Sequence, residues 1–152
     1  MKTSIYACGF SVDNGKPTQR GACAAILEHS DDHDRKACRI ISEPVGSSTG
    51  PQCDLKAAIL GLMTVSANPR FRKSSVDLFV SKYAAQFLER DGEKYKLDPK
   101  KNAELVRRLR EKADLFGNLT VQIGTKEQLQ LSAEHAKGTA ETGFGGDSGT
   151  TL

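Results

Sequence analysis

The chain has 152 residues, 38% of them apolar and 27% charged, and carries a net charge of +3 at neutral pH. That length suits one domain with a modest core, and no apolar run approaches the roughly 20 residues that a membrane-crossing helix needs. With no hydrophobic leader at its start, the chain is expected to be cytoplasmic and to have no membrane partner. The mild positive charge permits nucleic-acid binding without demanding it.

Residues 3–11 alternate apolar and polar as a strand does, and Asp13-Asn14-Gly15-Lys16-Pro17 follows as a turn cluster. Residues 20–28 predict a second, Ala-rich strand that packs closely against a neighbour. A polar loop over 29–34 leads to a third strand over 36–43, which makes an antiparallel meander. Thr49 or Gly50 can cap the next helix, and Pro51 suits its first turn, where a missing N–H is no loss. Leu55, Ala58, Ile59, Leu62, Met63 and Val65 then recur at helical spacing to about residue 66, and Asn68-Pro69 ends the run.

Residues 76–81 predict a strand rich in β-formers. A short helix over 82–90 with Tyr83, Phe87 and Leu88 inward comes next, then a charged loop over 91–100. The second amphipathic helix is predicted over 102–116, with Leu105, Leu109 and Leu115 inward, Arg107, Arg108, Arg110 and Lys112 outward, and Gly117-Asn118 as its stop. A last strand covers 119–123 and a last helix 127–139. These elements define one domain over residues 1–140. The Gly/Ser/Thr-rich stretch at 141–152 offers almost no apolar surface to offset ordering entropy and is expected to be a disordered tail. Deletion of Gly143–Leu152 is expected to leave the unfolding midpoint unchanged.

Cysteines stand at 8, 23, 38 and 53 with no CxxC pair, which predicts buried, reduced thiols. His29 and His33 with Asp31, Asp32 and Asp34 read better as a solvated turn than as a metal cluster. His135 has no evident acid or nucleophile partner and is expected to be structural or exposed.

The order βββ-α-β-α-α-β-α resembles that of the ribonuclease H family over about residues 3–140. Three segments carry the likeness: Ser4-Ile5-Tyr6-Ala7-Cys8-Gly9-Phe10-Ser11 with the hairpin return Gly21–Leu27, Asp54-Leu55-Lys56-Ala57-Ala58-Ile59, and Lys101-Asn102-Ala103-Glu104-Leu105-Val106. The resemblance implies an α/β fold with a mixed five-stranded sheet, order 3-2-1-4-5, and helices on both faces. It also implies cleavage of RNA in RNA–DNA hybrids by two divalent metals held among four carboxylates. Carried onto this chain, the first carboxylate position is Cys8, where the family reads approximately Tyr-Thr-Asp-Gly-Ser. The second is Asp54 in place of the usual Glu, and the third is Ser81, where the family reads Asp-Ser-x-Tyr. The fourth falls near Ala133, with Glu134 one position away. The family's His-bearing loop is shortened to Gly124-Thr125-Lys126-Glu127, without a histidine.

Mg²⁺ is a hard cation and a thiol is a soft ligand, so no cofactor is expected, and Asp54 is the one metal candidate. A carboxylate early in a helix is also accounted for by the macrodipole alone. Asp77 lies roughly 13 Å from Ser81 along the strand, and Asp13 sits out in the hairpin turn, so neither substitutes for a lost ligand. Cys8 and Ser81 are expected on adjacent central strands close to Asp54. Two basic groups, Arg70, Arg72 and Lys73, and Lys100, Lys101, Arg107 and Arg108, suit phosphate contact, although interleaved Glu104, Glu111 and Asp114 also fit a solvated face. The expected function is a catalytically inactive ribonuclease H-like module that binds RNA, an RNA–DNA hybrid or a protein partner. The alternatives are an active Mg²⁺-dependent ribonuclease H and a structural subunit of a larger assembly.

Overall fold

The computed structural model describes residues 1–149; the Arg70 side chain and residues 150–152 lie outside the described set. Strand-period sequence at the start of the chain builds β1 (Lys2–Val12), β2 (Arg20–Ser30) and β3 (Lys36–Gly46), an antiparallel meander. Helix α1 (Gly50–Ser66) follows, with Thr49 and Gln52 closing a reciprocal capping box and Pro51 in the first turn. After the short α2 (Pro69–Arg72) come β4 (Ser75–Val80) and α3 (Lys82–Gln86). A small hairpin of β5 (Arg90–Asp91) and β6 (Lys94–Tyr95) leads to α4 (Ala103–Ala113). The chain closes with β7 (Leu119–Ile123), α5 (Lys126–Thr142) and β8 (Gly146–Gly149).

The main sheet has the order β7-β4-β1-β2-β3-β8, with β4 parallel to β1 and to β7. Period-two alternation divides β1 between the two sheet faces. Ile5 meets α1, where an added Cβ on Gly61 would lie 2.5 Å from its side chain. On the other face Ser132 of α5 donates to the Tyr6 carbonyl at 2.7 Å, and Lys137 lies over the Phe10 ring. Ile5, Leu55, Leu62, Leu78 and Leu109 are fully buried between sheet and helices. Each such side chain contributes about 1.5–3 kcal/mol.

The expected five-strand order is present, and a sixth strand extends it. The tail expected to be disordered over 141–152 instead continues α5 to Thr142 and then pairs Gly146–Gly149 antiparallel with β3; its last three residues lie outside the described set. Arg39 forks onto Asp147 through Nε at 2.9 Å and Nη2 at 2.7 Å. A strand of Gly, Asp and Ser has no apolar pattern to announce it; β3's open edge supplies the hydrogen bonds. Truncation before Gly146 is therefore expected to cost about 1 kcal/mol or less, since an exposed ion pair is worth little. It should also raise aggregation by baring β3, which scanning calorimetry with light scattering checks.

Three further expectations change. Helix α4 ends at Ala113, so Leu115 lies beyond it and is 46% exposed rather than inward, while Val106, Leu109 and Ala113 are buried. Cys38 is exposed on β3, whereas Cys23 and Cys53 are buried, and among the described residues no disulfide forms. His29 belongs to β2, not to the loop: it is buried, its Nδ1 lies 2.8 Å from the Thr3 hydroxyl, and its ring packs on Phe71.

The loop after it is organised by Asp31, whose carboxylate accepts the His33 and Arg35 N–H groups at 2.9 Å each and the Arg35 guanidinium at 2.6 Å. Burial pushes the Asp31 carboxyl up, but these bonds outweigh it and hold the group down at about 2. A depressed carboxyl stabilises the fold above its unfolded value of about 3.9 and ceases to do so as pH falls through the folded value. Protection of the His33 and Arg35 amides, taken relative to intrinsic exchange at each pH, should therefore fall between roughly pH 4 and pH 2, and Asp31→Asn should remove that dependence.

Candidate functional site

The parallel register of β1 and β4 sets Tyr6 beside Phe79, and these rings stack at 4.8 Å. The pairing with β4 ends there; β1 continues through Cys8, and past Val80 the chain turns into α3 with Ser81 as its N-cap. Asp54 reaches this point because the start of α1 sits directly on Gly9. A Cβ there would lie 2.2 Å from the Cys53 carbonyl carbon and 2.6 Å from the Asp54 nitrogen, so only hydrogen fits. The sequence expectation put Cys8 and Ser81 on adjacent central strands near Asp54; Cys8 lies on β1, but Ser81 lies just past the end of β4, as the N-cap of α3.

Asp54 lies past the first turn of α1, which holds no acidic residue. Its place is therefore set less by the helix dipole than by β1, whose Gly9 N–H donates to Oδ1 at 2.9 Å. The Ser81 hydroxyl accepts the Ala84 N–H at 3.2 Å as the N-cap of α3 and lies close enough to Asp54 to favour its charged form. Burial raises the Asp54 carboxyl above the ordinary range, and the Gly9 bond and the Ser81 hydroxyl partly offset that. Burial, and then the nearby Asp54 charge, push the Cys8 thiol up to about 11, so it is neutral at pH 7. Its sulfur lies 3.6 Å from the Gly9 carbonyl.

The remaining family positions bring no further acid to this group. Ala133 is half-buried and apolar, and Glu134 is exposed and accepts a bond from Gln130 at 3.3 Å. Asp77 pairs with Lys2 at 3.1 Å, and Asp13 is engaged by Thr18 and Arg20. Among the described residues no group of three or more His, Cys, Asp or Glu side chains is placed to hold a metal ion.

The basic residues separate into two ends. Asn102, at φ 60°, accepts from Gln52 Nε2 at 3.1 Å and donates to the Tyr83 hydroxyl at 3.0 Å. That bridge ties the start of α4 to the starts of α1 and α3 and brings Lys100, Lys101 and the exposed Lys82 to the Asp54 end. Arg107 is neutralised by Glu104 and Glu111, Arg108 is exposed, and Arg110 donates to the Phe87 carbonyl at 2.8 Å. Arg72 and Lys73 lie past the far end of α1, about 25 Å away at 1.5 Å per residue. Lys82 and the Asn102 bridge went unread in the sequence; an Asn just before a helical run, tolerant of left-handed backbone, was the available signal.

Solved structures share this architecture. LC9-RNase H1, a type 1 RNase H with the type 2 active-site motif, matches with a TM-score of 0.73 at 16% identity, over 97% of this chain and 77% of its own. RNase H1 from Halobacterium salinarum matches with a TM-score of 0.69 at 15% identity, over 95% and 100%. The fold is that of ribonuclease H. LC11-RNase H1, solved in complex with an RNA/DNA hybrid, shares it at a TM-score of 0.72 and 14% identity, over 93% and 98%. No protein-family model and no curated protein matches the sequence. No helix among the described residues is long and apolar enough to cross a membrane.

Two-metal chemistry on a ribonuclease H fold needs enough anionic oxygen to hold two divalent ions. Here the donors are one carboxylate already bonded to the Gly9 N–H, one protonated thiol and one hydroxyl. This set does not fit a pair of Mg²⁺ ions.

Proposed function

We propose that this chain is a catalytically inactive module of the ribonuclease H fold that binds nucleic acid, with an RNA–DNA hybrid as its preferred partner. The observation that carries the reading is the Cys8–Asp54–Ser81 group, which puts a thiol, a hydroxyl and a single carboxylate where the family resemblance implies metal-holding carboxylates. Binding is supported by Lys82, Lys100 and Lys101 at the same end. None of the three is ion-paired among the described residues. It is supported also by the hybrid held on this fold in LC11-RNase H1. Lysines so placed neutralise phosphates whatever the base sequence.

The test is fluorescence anisotropy with a labelled hybrid across a salt series, alongside a cleavage assay with Mg²⁺ and with Mn²⁺. Binding without cleavage is expected. Lys100→Ala with Lys101→Ala should lower the salt slope by about 2. Cleavage by the unaltered chain that Asp54→Asn abolishes would establish an active ribonuclease H. A hybrid left unbound at low salt would remove the nucleic-acid reading altogether.

A further inference from the structure

The two edges of the sheet are treated differently. The β3 edge is covered by β8, whereas among the described residues no strand pairs with the outer edge of β7. Edge strands are commonly blunted by charge, proline or a bulge, yet Leu119-Thr120-Val121-Gln122-Ile123 carries none of these. The bonds Asn118 O to Val76 N and Gly124 N to Val80 O turn the even-numbered residues of this stretch toward β4. The backbone groups of Leu119, Val121 and Ile123 therefore point outward along the open edge.

Those three residues line a groove of about 680 Å³, walled by Leu88 and Tyr95 on one side and by Phe116 just past the end of α4, with Glu89 and Arg90 also in its lining. Ile123 is 56% exposed within it. At Gly117 the groove runs into a second hollow of about 360 Å³, lined by Arg72, Lys73 and the exposed Leu115. Among the described residues no carboxylate pairs with Arg72 or Lys73.

We propose that the β7 edge is a docking site for an extended segment of a partner protein, which adds a strand beside β7. Its alternate apolar side chains enter the groove and its acidic residues meet Arg72 and Lys73. An open edge supplies backbone hydrogen bonds, and a groove on one face reads every second side chain, which is the physical basis of strand addition. The two unneutralised cations select an acidic end. A second copy of this chain fits less well, since β7 has no acidic residue and is followed by Lys126. The Arg72–Lys73 hollow lies at the Leu119 end of β7, away from Asp54, whereas Ile123 pairs with Val80 next to Ser81; the proposal rests on the open β7 edge and on Arg72 and Lys73, not on the nucleic-acid reading.

The experiment is an amide NMR titration of the whole chain with two synthetic peptides, Val-Thr-Ile-Thr-Val-Asp-Glu and Asp-Glu-Val-Thr-Ile-Thr-Val. They bring the acidic pair to the Leu119 end in antiparallel and parallel pairing respectively. One of them should shift Leu119, Val121, Ile123, Arg72 and Lys73 with a Kd below about 1 mM. Arg72→Glu with Lys73→Glu should weaken binding at least about tenfold. Val121→Pro, which removes an outward N–H and spares the β4 ladder, should abolish binding in a chain shown to be folded by circular dichroism. Should that variant unfold, the charge reversal decides alone. Absence of shifts with both peptides, or binding indifferent to the charge reversal, overturns the proposal. So does a peptide-free dimer with β7 at its interface, or an RNA–DNA hybrid that shifts Arg72 and Lys73 when the peptides do not.

Discussion

Cys8→Asp combined with Ser81→Asp is expected to raise Mg²⁺ affinity above that of the unaltered chain. Both substitutions act beside Asp54, on backbone that the β1–β4 register and the seating of α1 on Gly9 already hold in place. Three carboxylates then replace one carboxylate, a neutral thiol and a hydroxyl. Without metal, like charges in a partly buried group repel, and the double variant should be destabilised by about 1–3 kcal/mol at pH 7. The sign of the pH dependence follows from carboxyls raised by crowding. The loss is largest where they ionise and fades as pH falls through their folded values. Mg²⁺ at about a hundred times its Kd should return about 2.7 kcal/mol. Thermal melts with and without Mg²⁺ test this, and an equal upward shift in the unaltered chain would contradict it.

Gly9→Ala is expected to be the more damaging single change. The new methyl would meet backbone, the Cys53 carbonyl carbon at 2.2 Å and the Asp54 nitrogen at 2.6 Å, and backbone does not swing aside as a side-chain tip does. Helix α1 has to lift from β1, which strains the Gly9–Asp54 bond and loosens the packing of Leu55 behind it. Overpacking costs typically 1–3 kcal/mol, and a backbone clash belongs at or above the top of that range, about 3 kcal/mol. For a domain of this size the melting temperature should fall by roughly 6–12 °C. Gly50→Ala, where an added Cβ meets nothing within 4 Å, should shift it far less. Equal shifts in the two variants would show that α1 yields at Gly9 without penalty.

Much of the site is legible in the sequence, because its residues fall at the ends of strongly patterned elements. Cys8 lies in an alternating strand, Asp54 follows the Thr49–Gln52 cap, and Ser81 opens the helix after a β-branched strand. What the pattern did not carry was how each group is bonded. The macrodipole reading of Asp54 gave way to the Gly9 N–H, a partner 45 residues distant in the chain. Arg107 looked like a phosphate ligand until Glu104 and Glu111 were seen to neutralise it, although spacings of three and four on a helix face did announce those pairs.

The sequence by itself determined the order of elements, the meander, the capped α1 and the absence of acids at positions 8 and 81. These rest on local periodicity, turn chemistry and residue identity, which a linear chain displays. Only the tertiary structure decided that residues 146–149 complete the sheet, that His29 is buried on Phe71, and that the basic residues divide between two ends. The same holds for the open edge of β7 beside its groove. Each depends on contacts between segments distant in sequence, where an edge or a neighbouring charge becomes available only after the sheet has closed around it.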